Sequence, residues 1–151
     1  MFVSVFDMFK IGIGPSSSHT MGPMVAANNF LELMRSSPFN FAGVRCRLHG
    51  SLAFTGAGHA TDRAITLGLE GFTPENYDEV KASKALSRIQ STHFLEPDGL
   101  GKLKFNTSED LIFDYGPRLD EHSNGLILSA IDHQGDVILE EIYFSIGGGF
   151  I

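Results

Sequence analysis

The run Gly14-Pro15-Ser16-Ser17-Ser18-His19-Thr20-Met21-Gly22-Pro23 sets three serines, a histidine and a threonine where a glycine-bearing loop enters a helix. Backbone N–H groups at a helix start have no partner inside the helix, and the helix dipole favours negative charge there. Hydroxyl donors added to that end make a pocket for a carboxylate or a phosphate. The plainer alternative is a polar loop in which one serine caps the helix and the others are solvated. A second cluster, Gly50-Ser51 followed by Thr55-Gly56-Ala57-Gly58-His59-Ala60-Thr61-Asp62, begins where a strand ends and finishes at a helix start. Ligand groups often gather at such places. With little side-chain bulk around it, His59 can approach a substrate closely and exchange a proton with it. Asp62 either caps the helix or orients His59. The fragment His122-Ser123-Asn124-Gly125 reads as a turn before a strand. His49 and His133 read as solvated, and His93 carries no signal.

Other chemistries lack their residues. There is no G-x-S-x-G elbow to support a serine hydrolase built on Ser17, His59 and Asp62. No Walker A lysine and no dinucleotide fingerprint is present. Lys10, Lys81, Lys84, Lys102 and Lys104 all lie outside the polar clusters, so pyridoxal phosphate has no candidate Schiff-base lysine. Cys46 is the single cysteine, which excludes an internal disulfide and suits a reducing compartment. One thiol is also too few for a cysteine-ligated zinc or iron–sulfur site, so no metal ligands are expected in this chain. A net charge of −7 argues against nucleic acid, whose binding needs a surplus of Lys and Arg. No apolar run approaches the length of a membrane span, and no basic region followed by an apolar stretch opens the chain. The cytoplasm is the expected location.

The elements that must position these clusters follow from periodicity. Met24, Ala27, Leu31 and Met34 recur at helical spacing between Ser18 and about Ser36, with Ser17 or Ser18 as cap and Pro23 near the first turn. Residues 43–50 alternate, with Val44, Cys46 and Leu48 on one face and Arg45, Arg47 and His49 on the other, the mark of a half-buried strand. A helix is predicted from about Ala60 to Leu69, stopped by Gly71. Thr73-Pro74 reads as the cap and first-turn proline of a third helix bearing Ala82, Ala85, Leu86 and Ile89 on one face. Strands are predicted over Lys102–Phe105, Leu111–Tyr115, Leu126–Ile131 and Val137–Ile146, the last two joined by a hairpin turn with Gly135 free to take positive φ. Helices early and strands late predict an α+β fold in one domain, 1–151, with helices packed on a mainly antiparallel sheet. At 151 residues such a domain buries about 70% of its unfolded surface and needs no staples. Phe150-Ile151 after Gly147-Gly148-Gly149 is an apolar ending, and the native chain is expected to continue beyond it.

Ser4-Val5-Phe6-Asp7-Met8-Phe9 leading to Ile11-Gly12-Ile13-Gly14-Pro15-Ser16-Ser17-Ser18-His19-Thr20 resembles the N-terminal signature of bacterial iron–sulfur L-serine dehydratases. Gly50-Ser51-Leu52, Thr55-Gly56, Gly58-His59 and Thr61-Asp62 resemble that family's second motif. Tyr143 to Phe150, with Ser145-Ile146-Gly147-Gly148-Gly149, resembles its third. The likeness covers nearly the whole chain in the expected order. Ser123 departs from it, standing where the family has proline between histidine and asparagine.

The resemblance implies a cytoplasmic lyase of serine catabolism and gluconeogenesis that turns L-serine into pyruvate and ammonia with a [4Fe–4S] cluster. The cluster ligands would belong to a separate α domain or subunit, this chain being the β domain, a piece of a longer chain or one subunit of two. A homo-oligomer is implied as well. So is a fold similar to the allosteric substrate-binding domain of some D-3-phosphoglycerate dehydrogenases, which leaves open a non-catalytic module that binds serine or a similar carboxylate. Dehydration of serine takes a proton from Cα and expels hydroxide from Cβ. A Lewis-acidic iron would bind the leaving hydroxyl. A positioned base and a neutralised carboxylate meet the other demands. On this reading His59 is the base, Asp62 orients it and His19 contacts the substrate or transition state, with His19 the other candidate for the base. Ser16, Ser17, Ser18, Thr20, Gly58, Thr61 and Asn124 complete the substrate site.

Overall fold

The computed structural model describes residues 21–50, 61–114 and 124–144. Helix α1 (Met21–Arg35) leads to strand β1 (Gly43–Gly50), followed by helices α2 (Thr61–Glu70) and α3 (Glu79–Thr92). Strands β2 (Phe94–Leu95), β3 (Leu103–Lys104), β4 (Leu111–Asp114), β5 (Asn124–Ile131) and β6 (Val137–Phe144) come after them. The α+β class holds, and each predicted helix is present. Residues 18–20, where the first helix was expected to begin, lie outside the described set.

The sheet is mixed. β1 is antiparallel to β5, β5 to β6 and β2 to β3, whereas β3 and β4 both run parallel to β1 along its other edge. The parallel pairing follows from α2 and α3, which lie between β1 and these strands and return the chain to its starting side. The β5–β6 hairpin closes as expected. Asp132 Oδ1 accepts from the N–H groups of Gln134 and Asp136, and Gly135 takes φ +88.

One face of the sheet is covered by the helices. Phe30, Leu31 and Met34 of α1, Ile65 and Leu69 of α2 and Ile89 of α3 bury against Val44, Cys46, Leu48, Leu126 and Leu128. The alternation in β1 thus separates core from outer face as its period of two requires. A smaller cluster of Met24, Ala64, Leu67, Ala82 and Ala85 packs between the helices themselves.

Three expectations need correction. Thr73 does not cap α3. It exchanges hydrogen bonds with Asn76, its N–H donating to Asn76 Oδ1 and its Oγ1 accepting from Asn76 N–H, so the capping chemistry closes a single turn. The helix starts at Glu79, after Asp78 has taken extended φ/ψ and accepted from Lys81 N–H. The strand expected over Lys102–Phe105 is only Leu103–Lys104, because its partner β2 is itself two residues long. His49 is buried rather than solvated, at 7% exposure. Alternation assigns it to the outer face correctly but cannot give the depth at which a residue sits there: Arg45 and Arg47, on the same face of β1, are exposed while His49 is not. His133 is exposed in the hairpin turn as expected. His93 ends α3 in the left-handed region, φ 64, with its N–H on Ile89 O.

Candidate functional site

The relative placement of α1 and α2 is fixed by direct backbone contact. A Cβ built on Gly68 would lie 2.7 Å from Met24 O and 2.8 Å from Ala27 Cβ, so only glycine admits this approach. One turn further along α1, the Asn28 amide donates both its hydrogens to α2's end, to Gly68 O at 3.0 Å and Phe72 O at 2.8 Å. Met24 meeting Gly68, and Asn28 meeting Gly68 and Phe72, mean that the two helices advance together and start at the same end. Arg35, at the close of α1, donates to Asp98 O in the turn that leads into β3, whose Lys104 pairs with Gly43, the first residue of β1. Both helices therefore run against β1 and begin where it ends.

That end gathers every point at which the described chain meets the remaining segments. Gly50 pairs with Asn124, His49 with both Asp114 and Gly125, and Gly125 with Phe144. Met21 and Thr61 open the two helices there. The sequence-predicted residues Ser16, Ser17, Ser18, His19, Thr20, Gly58 and His59 lie outside the described residues. Of the others, Thr61 is fully buried at the first position of α2. Asp62 is half-buried in the first turn, where the helix dipole favours its charge. Its Oδ1 accepts from Arg63 N–H at 2.8 Å, and its carbonyl accepts from Thr66 Oγ1. Asp62 also borders a cleft of about 140 Å³ between α2, α3 and β4, floored by Ile89, Leu111 and Phe113. Asn124 opens β5 opposite Gly50.

Asn28 escaped the reading from sequence, although a signal exists. It sits four residues after Met24 and three before Leu31, inside the apolar stripe of α1, where a polar side chain implies a specific partner. Cys46 is fully buried in the core, and burial pushes its thiol well above the ordinary range. It lies among apolar side chains of the core and in no group of His, Cys, Asp and Glu able to hold a metal ion among the described residues, so it does not fit as a cluster ligand. Among the described residues no group of His, Cys, Asp and Glu is placed to hold a metal ion. No helix among them is long and apolar enough to cross a membrane.

With this geometry in place, comparison with known proteins is decisive. The family model described as serine dehydratase beta chain matches residues 4–151. The chain belongs to this family. An L-serine dehydratase of Streptomyces coelicolor is 42% identical over 153 residues, covering 100% of this chain and 34% of the relative. That of Haemophilus influenzae is 42% identical, covering 99% of this chain and 33% of the relative. L-serine dehydratase TdcG of Escherichia coli K12 is 41% identical with the same shares, 99% and 33%. The chain thus spans about a third of the length of the curated relatives it matches.

Proposed function

We propose that this chain is the substrate-binding, base-supplying β domain of an L-serine ammonia-lyase that converts L-serine to pyruvate and ammonia. The observation that carries the reading is the convergence of α1, α2, β1, β4, β5 and β6 on one end of the fold. Each motif segment picked out from sequence adjoins the described structure at that end: 14–20 before α1, 50–62 between β1 and α2, 122–125 before β5, and 143–150 at the close of β6.

On this reading the serine hydroxyls and N–H groups before α1 take the substrate carboxylate, aided by the dipole of that helix. His59 removes the Cα proton, and Asp62 holds the imidazole in position and raises its basicity. His19, Thr20, Gly58, Thr61 and Asn124 line the remainder of the substrate. A [4Fe–4S] cluster would supply a Lewis acid for the departing hydroxyl, with ligands from outside this chain, since Cys46 does not fit. The enzyme would be cytoplasmic and a homo-oligomer, with no part for pyridoxal phosphate. Kinship with the allosteric substrate-binding domain of D-3-phosphoglycerate dehydrogenases belongs to the same proposal.

The test uses the longer dehydratase polypeptide that includes this domain. His59→Ala is expected to lower serine turnover by at least about 10²-fold, the scale of a lost general base, with iron content unchanged. Ser17→Ala is expected to raise KM for serine if its hydroxyl holds the carboxylate in both ground and transition states. Wild-type turnover in His59→Ala would remove the base role. Unchanged turnover with an altered dependence of activity on serine concentration would make the domain a sensor instead.

A further inference from the structure

The face of the sheet turned away from the helices is polar along β1, at Arg45 and Arg47, but carries isoleucines on the strands beside it. A strand with one solvated face alternates apolar and polar residues, whereas strands covered on both sides are apolar throughout. β4 reads Leu111-Ile112-Phe113 and β5 reads Leu126-Ile127-Leu128, with the isoleucines outward. In β6, Ile142 faces outward between inward Glu141 and Tyr143. The registers set Ile112, Arg47, Ile127 and Ile142 side by side in one row across four strands. The three isoleucines are half-buried, while Arg45, Arg47, Val137 and Glu140 around them are exposed. A recess of about 220 Å³ opens among Arg45, Arg47, Ile112, Ile127, Val137 and Glu140. None of the described helices packs on this face. Half-buried isoleucines interleaved with arginine are the composition of a protein interface rather than of free surface.

We propose that this face is the docking surface for the rest of the dehydratase polypeptide, the two-thirds of the relatives' length that lies outside the matched region. The proposal rests on the reading that the chain works as part of that longer enzyme. The extra length is the first argument for this occupant. Three eight-residue strands and the four residues of β4 present roughly 450 Å² in plan, or about 900 Å² over both partners, within the range of interfaces between domains of one chain. The second is continuity: Arg47 is three residues from Gly50, so a domain seated on the row borders the end where the motif segments meet. The third is charge. A twofold through the row would bring Arg45 and Arg47 close to their own copies, which like-charge repulsion opposes. A covalently joined domain is under no such symmetry constraint, and tethering raises its local concentration.

Arginine modification by phenylglyoxal, read by peptide mass spectrometry, tests this on the 151-residue chain and on the longer polypeptide in parallel. Arg45 and Arg47 are expected to react at least about tenfold more slowly in the longer polypeptide, because a seated partner excludes the reagent along with water. Arg35, at the far end of α1, is expected to react equally in both. Equal rates at Arg45 and Arg47 would overturn the proposal. So would protection that grows with concentration in the 151-residue chain, together with a dimer in sedimentation, since a second copy would then occupy the face. Ile127→Lys in the longer polypeptide is expected to restore fast labelling of both arginines. Continued protection in a folded variant would count against the row as the contact. Should that variant fail to fold, the wild-type labelling comparison decides alone. Protected arginines combined with full turnover in His59→Ala would leave the surface standing and remove the base.

Discussion

Gly68→Ala puts the α1–α2 contact to a test in which two effects have opposite signs. In an isolated helix the change favours folding, because alanine is about 1 kcal/mol better than glycine in a helix interior. In this fold the new methyl would meet Met24 O at 2.7 Å, Ala27 Cβ at 2.8 Å and Met24 Cα at 3.1 Å. Two of these are backbone atoms and the third is a Cβ, so no side-chain rotation relieves them. Ordinary carbon contacts lie at about 3.5–4 Å, which requires α1 and α2 to part by something near an ångström. Overpacking of this kind costs about 1–3 kcal/mol, and the Asn28 hydrogen bonds stretch with it. The net expectation is a destabilisation of about 1 kcal/mol, or a fall in Tm of about 2–4 °C for a chain of this size. Thermal melting followed by circular dichroism on wild type and variant measures it. In the longer enzyme the same separation displaces the starts of both helices, and a misplacement of about 1 Å can lower kcat/KM by up to about 10²-fold. A variant more stable than wild type by about 1 kcal/mol, the helix-propensity gain alone, would refute the backbone contact.

Asn28→Asp removes both donors while keeping the shape of the side chain. It is expected to destabilise by about 1–3 kcal/mol in urea titration, because Gly68 O and Phe72 O then face a carboxylate. Stability equal to wild type would make those hydrogen bonds idle. Cys46 is expected to be inert to a thiol reagent in the native protein and to react fully in denaturant, since the raised thiol is both buried and neutral; rapid native labelling would contradict its place in the core. Burial, and secondarily the Glu141 carboxylate, hold the Tyr143 phenol above its ordinary value of 10.0. A group whose folded pKa is raised stabilises fully below its unfolded pKa and loses that contribution as pH rises through the folded one. Native stability is therefore expected to fall above about pH 10, and Tyr143→Phe to flatten that alkaline limb; identical limbs in the two proteins would refute the assignment.

Most elements were legible because their causes are local. The 3.6-residue spacing of Met24, Ala27, Leu31 and Met34, the alternation of Val44, Cys46 and Leu48, and Asp132 to Asp136 with its glycine each declare their structure within a few residues. Thr73 shows where local reasoning overreaches: its side chain makes the expected kind of bond, yet the helix does not start there, because Asp78, five residues on, caps it instead. His49 shows another limit, since alternation gives a side chain's face but not its burial there: Arg45 and Arg47 share that face of β1 and are exposed.

By itself the chain determined its class, the faces of its helices and strands, its motif segments and the poverty in thiols that sends any cluster's ligands elsewhere. Only the tertiary structure decided that β3 and β4 lie parallel to β1, that Gly68 lets α1 and α2 touch, and that six elements end or begin together. It also set Ile112, Arg47, Ile127 and Ile142 in one row on the outer face. The division is physical. Propensity, capping and periodicity act over a few bonds and are written in neighbouring residues, whereas strand order and helix alignment are settled by which distant surfaces can be buried together.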